Sequence, residues 1–523
     1  MVFTSPHPDV ALSTKPVHQV VLDAAAAQGD RPALIDALSG TTLSYSGLVT
    51  SVQALAAGLH AEGLRKGDVL ALHGPNSLAF PVVLLACSRI GVTVTTLNGL
   101  STAGEMAVQL RDSRARWMVT VSALLEPAQQ AAAEAGLDVV LVCDTVDGVR
   151  SITDVAVPGG ELPEVGFDLD EDLFVLPYSS GTTARPKGVM LSHRSVATNM
   201  AQVQSAWDEA EADDRVMAVL PFFHIFGICI LLNFLSAGAT LVVLPRFELD
   251  TFLRTLEKER ITRLYAVPPI VLALAKHPAV DGVDTSSLRQ ILCAAAPLDA
   301  ELANACAARL GCTVVQGYGM TETSPGTQLI LDSEAATAPA GTVGRLLPNT
   351  EARLVDTGTG EDVEVGQPGE LWLRGPQIMK GYFGRPEETS ATVDADGWLH
   401  TGDVAVIDAG GWWYIVDRVK ELIKYKGYQV PPAELEAVLL ASPRIADAAV
   451  IGVYDENGDE VPKAFVVRAD QTLTADEVMA HVAADVAPYK KVRRVEFVEA
   501  IPKAASGKIL RRELRDREKA AAS

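Results

Sequence analysis

Short apolar runs alternate with amphipathic stretches along the N-terminal part of the chain. Residues 44–64 place Leu48, Val52, Leu55 and Leu59 at helical spacing behind a serine that can cap a helix. Runs of strand length and of helix length then follow each other; the predicted strands are 69–72, 92–96, 117–121 and 139–143, and the predicted helices are 78–90 and 125–135. Because such alternation is typical of parallel strands joined by helices, it predicts a parallel sheet with helices on both faces.

A second block of the same kind spans residues 216–315. Its predicted strands are 217–220, 240–244, 263–267 and 290–294, and its predicted helices are 249–259 and 298–310. The apolar run 222–244 has the length of a membrane span, but it contains His224, Asn233 and two glycines and lacks basic flanking residues. We therefore predict no membrane span there, but a buried helix followed by a strand. The two blocks together predict two α/β subdomains.

Residues 341–413 have a different texture, with short β-rich pieces separated by glycine and turn residues. The pieces 351–355, 369–374 and 412–417 predict a small β-barrel or meander. A separate unit of ~100 residues follows, which is enough to form its own core. The elements predicted in it are a helix after Pro431 and Pro432, strands at 448–453 and 463–467 around an Asn457–Gly458 turn, and a helix at 475–486. The predicted fold class is α/β, with a large N-terminal domain of two α/β subdomains plus a small β-barrel, and a smaller α+β C-terminal domain.

The composition is that of an ordinary folded enzyme, since 48% of the 523 residues are hydrophobic and 21% are charged. The formal net charge of −22 disfavours binding to nucleic acid or to an anionic membrane surface. The six cysteines form no C-x-x-C pair, so neither a zinc site nor a disulfide framework is indicated. The first residues lack the basic start and apolar core of a signal peptide, and we expect a cytoplasmic protein.

The stretch 178–189, YSSGTTARPKGV, lies between two short apolar runs and predicts a tight loop between two strands. It offers hydroxyl donors, a glycine at which the backbone can approach an anion, and a lysine charge; these residues are Ser179, Ser180, Gly181, Thr182, Thr183 and Lys187. The P-loop of nucleotide hydrolases does not fit, because Pro186 precedes the lysine and Gly188 follows it where Ser or Thr is required. The stretch therefore predicts a phosphate site of another kind, and the alternative is a flexible surface linker.

Six motifs stand in order along the chain, namely YSSGTTARPKGV (178–189), QGYGMTE (316–322), GELWLRG (369–375), GWLHTGD (397–403), DRVKELIKYKGYQVPPAELE (417–436) and PKAASGKILRREL (502–514). Together they resemble the adenylate-forming superfamily of acyl-CoA synthetases, and within it most the 4-coumarate:CoA and cinnamate:CoA ligases. The resemblance covers essentially the whole chain. It implies that a carboxylate attacks the α-phosphate of ATP to give acyl-AMP and pyrophosphate, and that the thiol of coenzyme A then displaces AMP. ATP, coenzyme A and a small carboxylic acid are the implied substrates, and Mg²⁺ is the implied cofactor.

The resemblance implies a nucleotide site built from several of these motifs. Its ATP- and AMP-binding residues are Ser179, Ser180, Gly181, Thr182, Thr183, Lys187, Ala296, Gln316, Gly317, Tyr318, Gly319, Thr321, Asp403, Arg418 and Lys424. Within this set Tyr318 lies against the adenine ring and Thr321 donates to the α-phosphate. Asp403 accepts from both ribose hydroxyls, with Arg418 beside it, although a turn aspartate is the alternative reading. Glu322 is the implied ligand of Mg²⁺.

The catalytic residues that the resemblance implies are Lys508, His224, Gln429 and Lys420. A carboxylate and a triphosphate repel each other, so a preorganised positive charge at their junction lowers the barrier. Lys508 is implied to reach into the cleft and bridge the carboxylate and the α-phosphate, and the alternative is a solvated lysine in a basic tail. Gln429 is implied to assist adenylation, and His224 matches the gate residue of the family.

Lys420 resembles the hinge position of the family, about which a mobile C-terminal domain rotates between the two half-reactions. The implied domains are 1–417, which binds the acid and ATP, a hinge at 418–420, and 421–523, which carries the catalytic lysine. This rotation lets one cleft serve both steps. The implied contacts of coenzyme A are Arg246, Lys426 and Gly427.

The implied acyl pocket consists of Phe226, Ile230, Ala294, Ala295, Gly317 and Pro325. Phe226 and Ile230 stand where relatives that bind hydroxycinnamates often have Tyr and Ser, and the two alanines stand where those relatives often have Gly. We therefore expect a smaller, apolar pocket. Because an apolar pocket rejects an added hydroxyl by only ~10²-fold or less, cinnamate and 4-coumarate should both react, whereas caffeate and ferulate should be poor substrates.

The sequence thus predicts an ATP- and Mg²⁺-dependent cinnamate or 4-coumarate:CoA ligase. The alternatives within the enzyme class are a ligase for medium- or long-chain fatty acids and an enzyme that loads a separate carrier protein. A different class is a protein that binds an acyl or nucleotide ligand without turnover, but the intact Lys187, Glu322, Asp403, Arg418 and Lys508 argue against it. The expected partners are small molecules and not nucleic acid, and the oligomeric state stays open.

Overall fold

Helices and strands alternate through most of the chain in the computed structural model, which describes residues 1–137, 139–179, 186–207, 213–425, 428–455, 460–504 and 507–522. Its α-helices are Val17–Ala26, Tyr45–Ala61, Ala79–Arg89, Ala103–Ser113, Leu125–Ala135, Ile152–Val155, His193–Gln204, Ile225–Ala237, Leu249–Lys258, Pro268–Lys276, Ala300–Leu310, Pro386–Ser390, Pro432–Ala441, Ala475–Asp485 and Arg511–Ala522. Short 3-10 helices are Ser122–Leu124, Pro278–Gly282, Thr321–Thr323, Asp332–Glu334 and Pro488–Lys490. The predicted helices are all present. The first of them begins after Ser44, whose hydroxyl caps it by accepting from the backbone N–H of Gly47 at 3.1 Å.

The first predicted block forms a sheet that is here called the N-terminal sheet. Its strands stand in the order Gly381–Tyr382, Lys187–Ser192, Leu173–Val175, Thr93–Leu97, Val69–His73, Trp117–Thr120 and Val139–Val142, and Tyr178–Ser179 pairs with the second of them. The strands predicted from the alternation pair in parallel. The two strands predicted on either side of the phosphate loop are present, because Val175 pairs antiparallel with Leu191 and Ser179 pairs antiparallel with Lys187; residues 180–185 between them lie outside the described residues.

The second block forms a larger sheet, the central sheet. Its strands stand in the order Arg345–Leu346, Gly326–Leu329, Thr313–Gly319, Gln290–Cys293, Arg263–Ala266, Arg215–Ala218, Thr240–Val243, Pro32–Asp36 and Thr42–Ser44. The pairing is parallel in the middle and antiparallel toward both ends. The very apolar helix Ile225–Ala237 packs here with Ile228, Leu231 and Phe234 fully buried, as predicted. In the part of the chain that the structure describes, no helix is long and apolar enough to cross a membrane.

The β-rich region forms an antiparallel sheet, the curled sheet. Its strands are, in order, Phe3–Thr4, Glu351–Val355, Gly369–Arg374, Leu399–Ile407 and Trp413–Arg418. The two outer strands approach each other, since the rings of Phe3 and Trp413 meet edge to face with their centroids 5.5 Å apart. The prediction of a small barrel or meander is therefore confirmed as a curled meander, and its first strand comes from the N-terminus of the chain.

The chain beyond Arg418 has its own core. A hairpin of Ile423–Tyr425 and Tyr428–Val430 is followed by a sheet of the strands Ile445–Tyr454, Glu460–Arg468 and Arg494–Phe497. Helices Pro432–Ala441 and Ala475–Asp485 bury Leu435, Leu439, Val478 and Val482 in this core, which confirms the α+β prediction. The predicted Asn457–Gly458 turn lies outside the described residues; Tyr454 and Glu460 pair on either side of it.

The C-terminal part of the chain packs against the large part close to the helix Pro268–Lys276. Nζ of Lys276 donates to the carbonyl oxygen of Leu440 at 2.8 Å. Gly507 has a φ of 77°, and a Cβ at this position would lie only 2.9 Å from Cδ of Pro269. Since only glycine tolerates both the left-handed backbone and the close approach, it is the residue that lets this loop bring Lys508 to the large part of the chain.

Candidate active site

A cavity of about 440 Å³ is lined by the central sheet, the curled sheet, the helix Ile225–Ala237 and the loop before the C-terminal helix. It collects most of the predicted site; Ser179, Lys187, His224, Phe226, Ile230, Ala294, Ala295, Gly317, Tyr318, Gly319, Thr321, Glu322, Pro325, Arg418, Lys420 and Lys508 line it. Segments that are distant in sequence meet here because the carboxyl ends of the parallel strands Gln290–Cys293 and Thr313–Gly319 lie at one edge of the sheet.

Other predicted site residues lie elsewhere. The side chain of Gln316 is used by the fold, because its Oε1 accepts from the backbone N–H of Leu298 at 3.1 Å. Ala296, Lys424 and Arg246 do not line the cavity, and the last two are exposed, one on a hairpin and one on a loop. The predictions at Ser180, Gly181, Thr182, Thr183, Lys426 and Gly427, and that for the side chain of Gln429, lie outside the described residues.

Glu322 forms one wall of the cavity from the short helix Thr321–Thr323. Its Oε1 accepts from the hydroxyl of Ser179 at 3.1 Å and from that of Tyr382 at 2.9 Å. Nζ of Lys187 lies 4.4 Å from the centroid of the Tyr382 ring, a cation–π contact. Tyr382, which belongs to none of the six motifs, thus contacts both the carboxylate of Glu322 and the ammonium group of Lys187.

Lys508 faces the cavity from the loop that precedes the C-terminal helix. Burial lowers the pKa of its ammonium group to about 8, and the positive charge of Arg418 also lowers it. The carboxylate of Asp403 has the opposite effect and raises this pKa. Burial and the nearby charge of Lys508 also lower the pKa of His224, so that its imidazole is neutral at neutral pH. At Lys508 the cavity therefore presents a half-buried ammonium group whose charge an anionic substrate would stabilise.

Asp403 stands behind the cavity wall and is held by two residues that line it. Its Oδ2 accepts from the hydroxyl of Tyr318 at 2.6 Å, and its Oδ1 lies 3.0 Å from Nε of Arg418. Burial, followed by the carboxylate of Asp403, raises the pKa of Tyr318, which therefore stays a donor. Three residues from separate motifs thus form one hydrogen-bonded unit, which fits the ribose site that the resemblance implies.

Much of the cavity lining is apolar. Besides Phe226 and Ile230, it includes residues that were not predicted for the acyl pocket, namely Val203, Trp207, Cys229, Leu292, Met320 and Leu329. Asn233 and Tyr265 line the cavity as well and add two polar side chains that the predicted acyl pocket does not include. Ala295 has a φ of 75°, so glycine is favoured there for the backbone.

Two family models match the chain. The model described as AMP-binding enzyme matches residues 21–383, and the model described as AMP-binding enzyme C-terminal domain matches residues 434–508. The chain therefore belongs to the AMP-binding enzyme family. The first match includes the strands of the N-terminal and central sheets, and the second ends at Lys508.

Particular relatives are similar over nearly their whole length. The 4-coumarate--CoA ligase 5 of Oryza sativa subsp. japonica is 43% identical, over 98% of this chain and 97% of the relative. The crystal structure of the anthranilate CoA ligase AuaEII in complex with anthranoyl-AMP is 25% identical with a TM-score of 0.91, over 98% of this chain and 99% of that one. The crystal structure of ATP-bound MatB from Rhodopseudomonas palustris is 30% identical with a TM-score of 0.86, over 97% and 99%. These similarities confirm the predicted superfamily and fold class.

Proposed function

We propose that the protein is an AMP-forming acid–thiol ligase that joins cinnamate or 4-coumarate to coenzyme A through an acyl-adenylate. The observation that carries the proposal is a single cavity in which Lys508, Glu322 and Lys187 share the lining with a mostly apolar, aromatic-rich acyl pocket. Similarity to a relative named as a 4-coumarate--CoA ligase supports the choice of acid. The resemblance to a complex with anthranoyl-AMP supports an aromatic adenylate.

In the first step the acid carboxylate attacks the α-phosphate of ATP. Lys508 supplies positive charge where the two anions meet, and the hydroxyl of Thr321 donates to the α-phosphate. Lys187 holds the pyrophosphate that leaves. Asp403 and Arg418 bind the ribose and fix the nucleotide for attack in line with the leaving group.

The residues around Glu322 fit a magnesium ion. Both hydrogen bonds that described residues donate to this carboxylate arrive at Oε1, which leaves Oε2 for a cation. Magnesium takes few protein ligands when it also binds substrate phosphates. Bound there, the ion would neutralise charge on the phosphates, and Tyr382 and Ser179 would orient the carboxylate toward it.

In the second step the thiol of coenzyme A attacks the acyl-adenylate and AMP leaves. We assign Lys420 as the hinge, with domains at 1–417 and 421–523, because Lys420 lines the cavity next to Arg418 at the end of the last strand of the curled sheet. Rotation there would withdraw Lys508 and admit coenzyme A. Arg246 is exposed and available to a phosphate of coenzyme A, while the roles of Lys426 and Gly427 stay predictions, as does a cytoplasmic location.

The test of the function is pyrophosphate release across a panel of aromatic and aliphatic acids, followed by detection of the thioester. Cinnamate and 4-coumarate should give the highest kcat/KM. Higher values with medium- or long-chain fatty acids would support the rival ligase, and transfer to a carrier protein instead of coenzyme A would indicate a loading enzyme. Absence of pyrophosphate release with every acid would favour a binding protein without turnover.

The pKa of Lys508 predicts a pH profile for the adenylation step. A lysine is charged below its pKa, so the required charge is present below about pH 8 and is lost as the pH rises through this value. We expect kcat/KM for pyrophosphate release to fall ~tenfold per pH unit above it. Lys508→Arg, whose guanidinium stays protonated, should be slower but free of this fall; an identical fall in that variant would assign the titration to another group.

Ala294 is expected to limit the size of the substrate ring. It follows the strand Gln290–Cys293 and lines the cavity. Ala294→Gly should raise kcat/KM for caffeate and ferulate relative to cinnamate by ~10-fold, because removal of a methyl-sized obstacle is worth about 1–3 kcal/mol. Parallel kinetics with the three acids measure this ratio, and an unchanged ratio would show that the methyl group does not contact the ring.

A further inference from the structure

The far end of the acyl pocket contains two buried polar atoms for which the described residues offer no hydrogen-bond partner. They are Oδ1 of Asn233 and the hydroxyl of Tyr265. Both residues line the cavity, and they are only 0% and 4% exposed. Buried polar groups are almost always hydrogen-bonded, so two unpaired ones in the same pocket point to a polar group on the ligand.

The amide of Asn233 is oriented by the helix on which it lies. Its Nδ2 donates to the carbonyl oxygen of Cys229 at 2.9 Å and contacts Sγ of the same residue at 3.2 Å. Because a backbone carbonyl can only accept, the nitrogen must be the amide atom that faces Cys229, and Oδ1 points away from it. Asn233 follows Ile230 by three residues and Phe226 by seven, which places all three on one face of the helix. On the face of the helix that lines the pocket, Oδ1 of Asn233 is therefore a hydrogen-bond acceptor with a fixed orientation.

The ring of Tyr265 is held by aromatic neighbours. The ring of Phe234 stacks on that of Trp207, with the ring centroids 4.5 Å apart. It also meets the ring of Tyr265 edge to face, with the centroids 5.4 Å apart. Phe226 lies 6.4 Å from Tyr265, also edge to face. Packing of this kind fixes the hydroxyl in place, and burial raises the pKa of Tyr265, so that the hydroxyl remains a donor throughout the working pH range.

The two groups lie at the end of the pocket remote from the reacting carboxylate. His224 directly precedes the helix, and it is close enough to Lys508 for the charge of the lysine to lower the pKa of its imidazole. Asn233 follows nine residues later. At 1.5 Å per residue this is ~14 Å along the helix axis. An extended aryl-propenoate, together with one hydrogen bond at each end, has a comparable length. A substituent on its ring at the position para to the propenoate group would therefore reach Asn233.

We infer that Asn233 and Tyr265 form a subsite for a hydroxyl group at the distal end of the acyl substrate. The substrate hydroxyl donates to Oδ1 of Asn233 and accepts from the hydroxyl of Tyr265, so one small group satisfies both protein atoms. This inference rests on the proposed function and names the distal group of its acid. Asn233 lies one helical turn after Ile230, and Tyr265 lies on the strand Arg263–Ala266. These two residues provide the polar contact, whereas Phe226 and Ile230 are apolar.

Tyr265→Phe and Asn233→Leu test the subsite in the full-length protein. The readout is the ratio of kcat/KM for 4-coumarate to kcat/KM for cinnamate, measured by pyrophosphate release. Each substitution should lower this ratio ~3–10-fold, as expected for one lost hydrogen bond between neutral groups. The value of kcat/KM for cinnamate should change much less than that for 4-coumarate, because cinnamate has no hydroxyl group that could bind at this subsite.

Tyr45→Phe is the matched control. The hydroxyl of Tyr45 is equally buried, but it donates to the carbonyl oxygen of Ala239 at 2.6 Å, and Tyr45 does not line the cavity. The control should lower the melting temperature and leave the substrate ratio unchanged. Tyr265→Phe should leave the melting temperature unchanged and lower the substrate ratio, because the hydroxyl that it removes has no hydrogen-bond partner among the described residues.

The outcomes separate the subsite from the function. An unchanged ratio in Tyr265→Phe, with cinnamate activity kept, overturns the subsite and leaves the ligase intact; if Asn233→Leu does not fold, Tyr265→Phe alone decides. Failure of the wild-type protein to use either aromatic acid contradicts the proposed function instead. Wild type and Tyr265→Phe are then compared on alkanoates with and without a terminal hydroxyl, and an equal ratio for both proteins again overturns the subsite.

Discussion

Lys508→Ala should reduce the rate of acyl-adenylate formation by ~10²–10³-fold, the effect of removing one preorganised group that stabilises charge in the transition state. Lys508 is half-buried and lines the cavity, and its charge acts on the imidazole of His224. The reaction brings a carboxylate against a triphosphate, so the loss should appear in kcat as well as in kcat/KM. Pyrophosphate release from ATP and cinnamate measures it.

The same variant should still make the thioester when acyl-AMP is supplied, because the rotation that we propose for the second step withdraws Lys508 from the cleft. Lys503→Ala is the matched control: Lys503 is in the same basic segment, but its Nζ donates to Oδ2 of Asp447 at 2.6 Å and it does not line the cavity. This control should keep adenylation. If Lys508→Ala lost both half-reactions equally, Lys508 would have no specific role in adenylation.

The sequence predicted the elements whose packing follows the apolar periodicity. The helix Tyr45–Ala61 buries Leu48, Val52, Leu55 and Leu59, the four residues that predicted it. Most of the parallel strands in both sheets are short, predominantly apolar runs, as burial on two faces favours, although Thr93–Leu97 contains three threonines. Pairing with the N-terminal strands Phe3–Thr4 and Pro32–Asp36 was not foreseen, because partners that are distant in sequence leave no local pattern.

Two missed helices show where periodicity fails. His193–Gln204 turns polar residues inward: the amide of Asn199 donates to the carbonyl oxygen of Gly326 at 2.8 Å, and Gln202 donates to that of Pro348 at 2.6 Å. Such contacts depend on the tertiary structure, and the buried polar residues obscure the apolar spacing of Val196, Met200 and Val203. Ala103–Ser113 did carry a usable signal, since Thr102 and Glu105 form a capping box before it.

The candidate site was predictable where motifs supplied it and unpredictable where only packing did. Lys187, Glu322, Arg418 and Lys508 belong to separate motifs and line one cavity, as the resemblance implies. Tyr382 acts through contacts with Glu322 and Lys187 that exist only in the folded chain. For the same reason Asn233 served only as an argument against a membrane span, although it lines the pocket.

Asp403→Asn should lower kcat/KM for ATP by ~10–100-fold, the range expected when a hydrogen bond to a charged group is lost. The asparagine keeps the shape but loses the charge, and its NH₂ group must face a donor, either the hydroxyl of Tyr318 or Nε of Arg418. The ribose does not react, so the loss should appear mainly in KM for ATP, in contrast to Lys508→Ala. Tyr318→Phe, which removes only one neutral donor, is the control and should lose ~2–10-fold.

Asp403→Asn should also move the pH profile, which ties the ribose site to the catalytic lysine. The carboxylate of Asp403 raises the pKa of Lys508 against the effect of burial and of Arg418. Without that negative charge the pKa of Lys508 falls, and the loss of adenylation at high pH should begin below the wild-type value of about 8. A profile that coincides with the wild type would show that the titrating group is not Lys508, whereas a shift to lower pH joins both residues in one electrostatic unit.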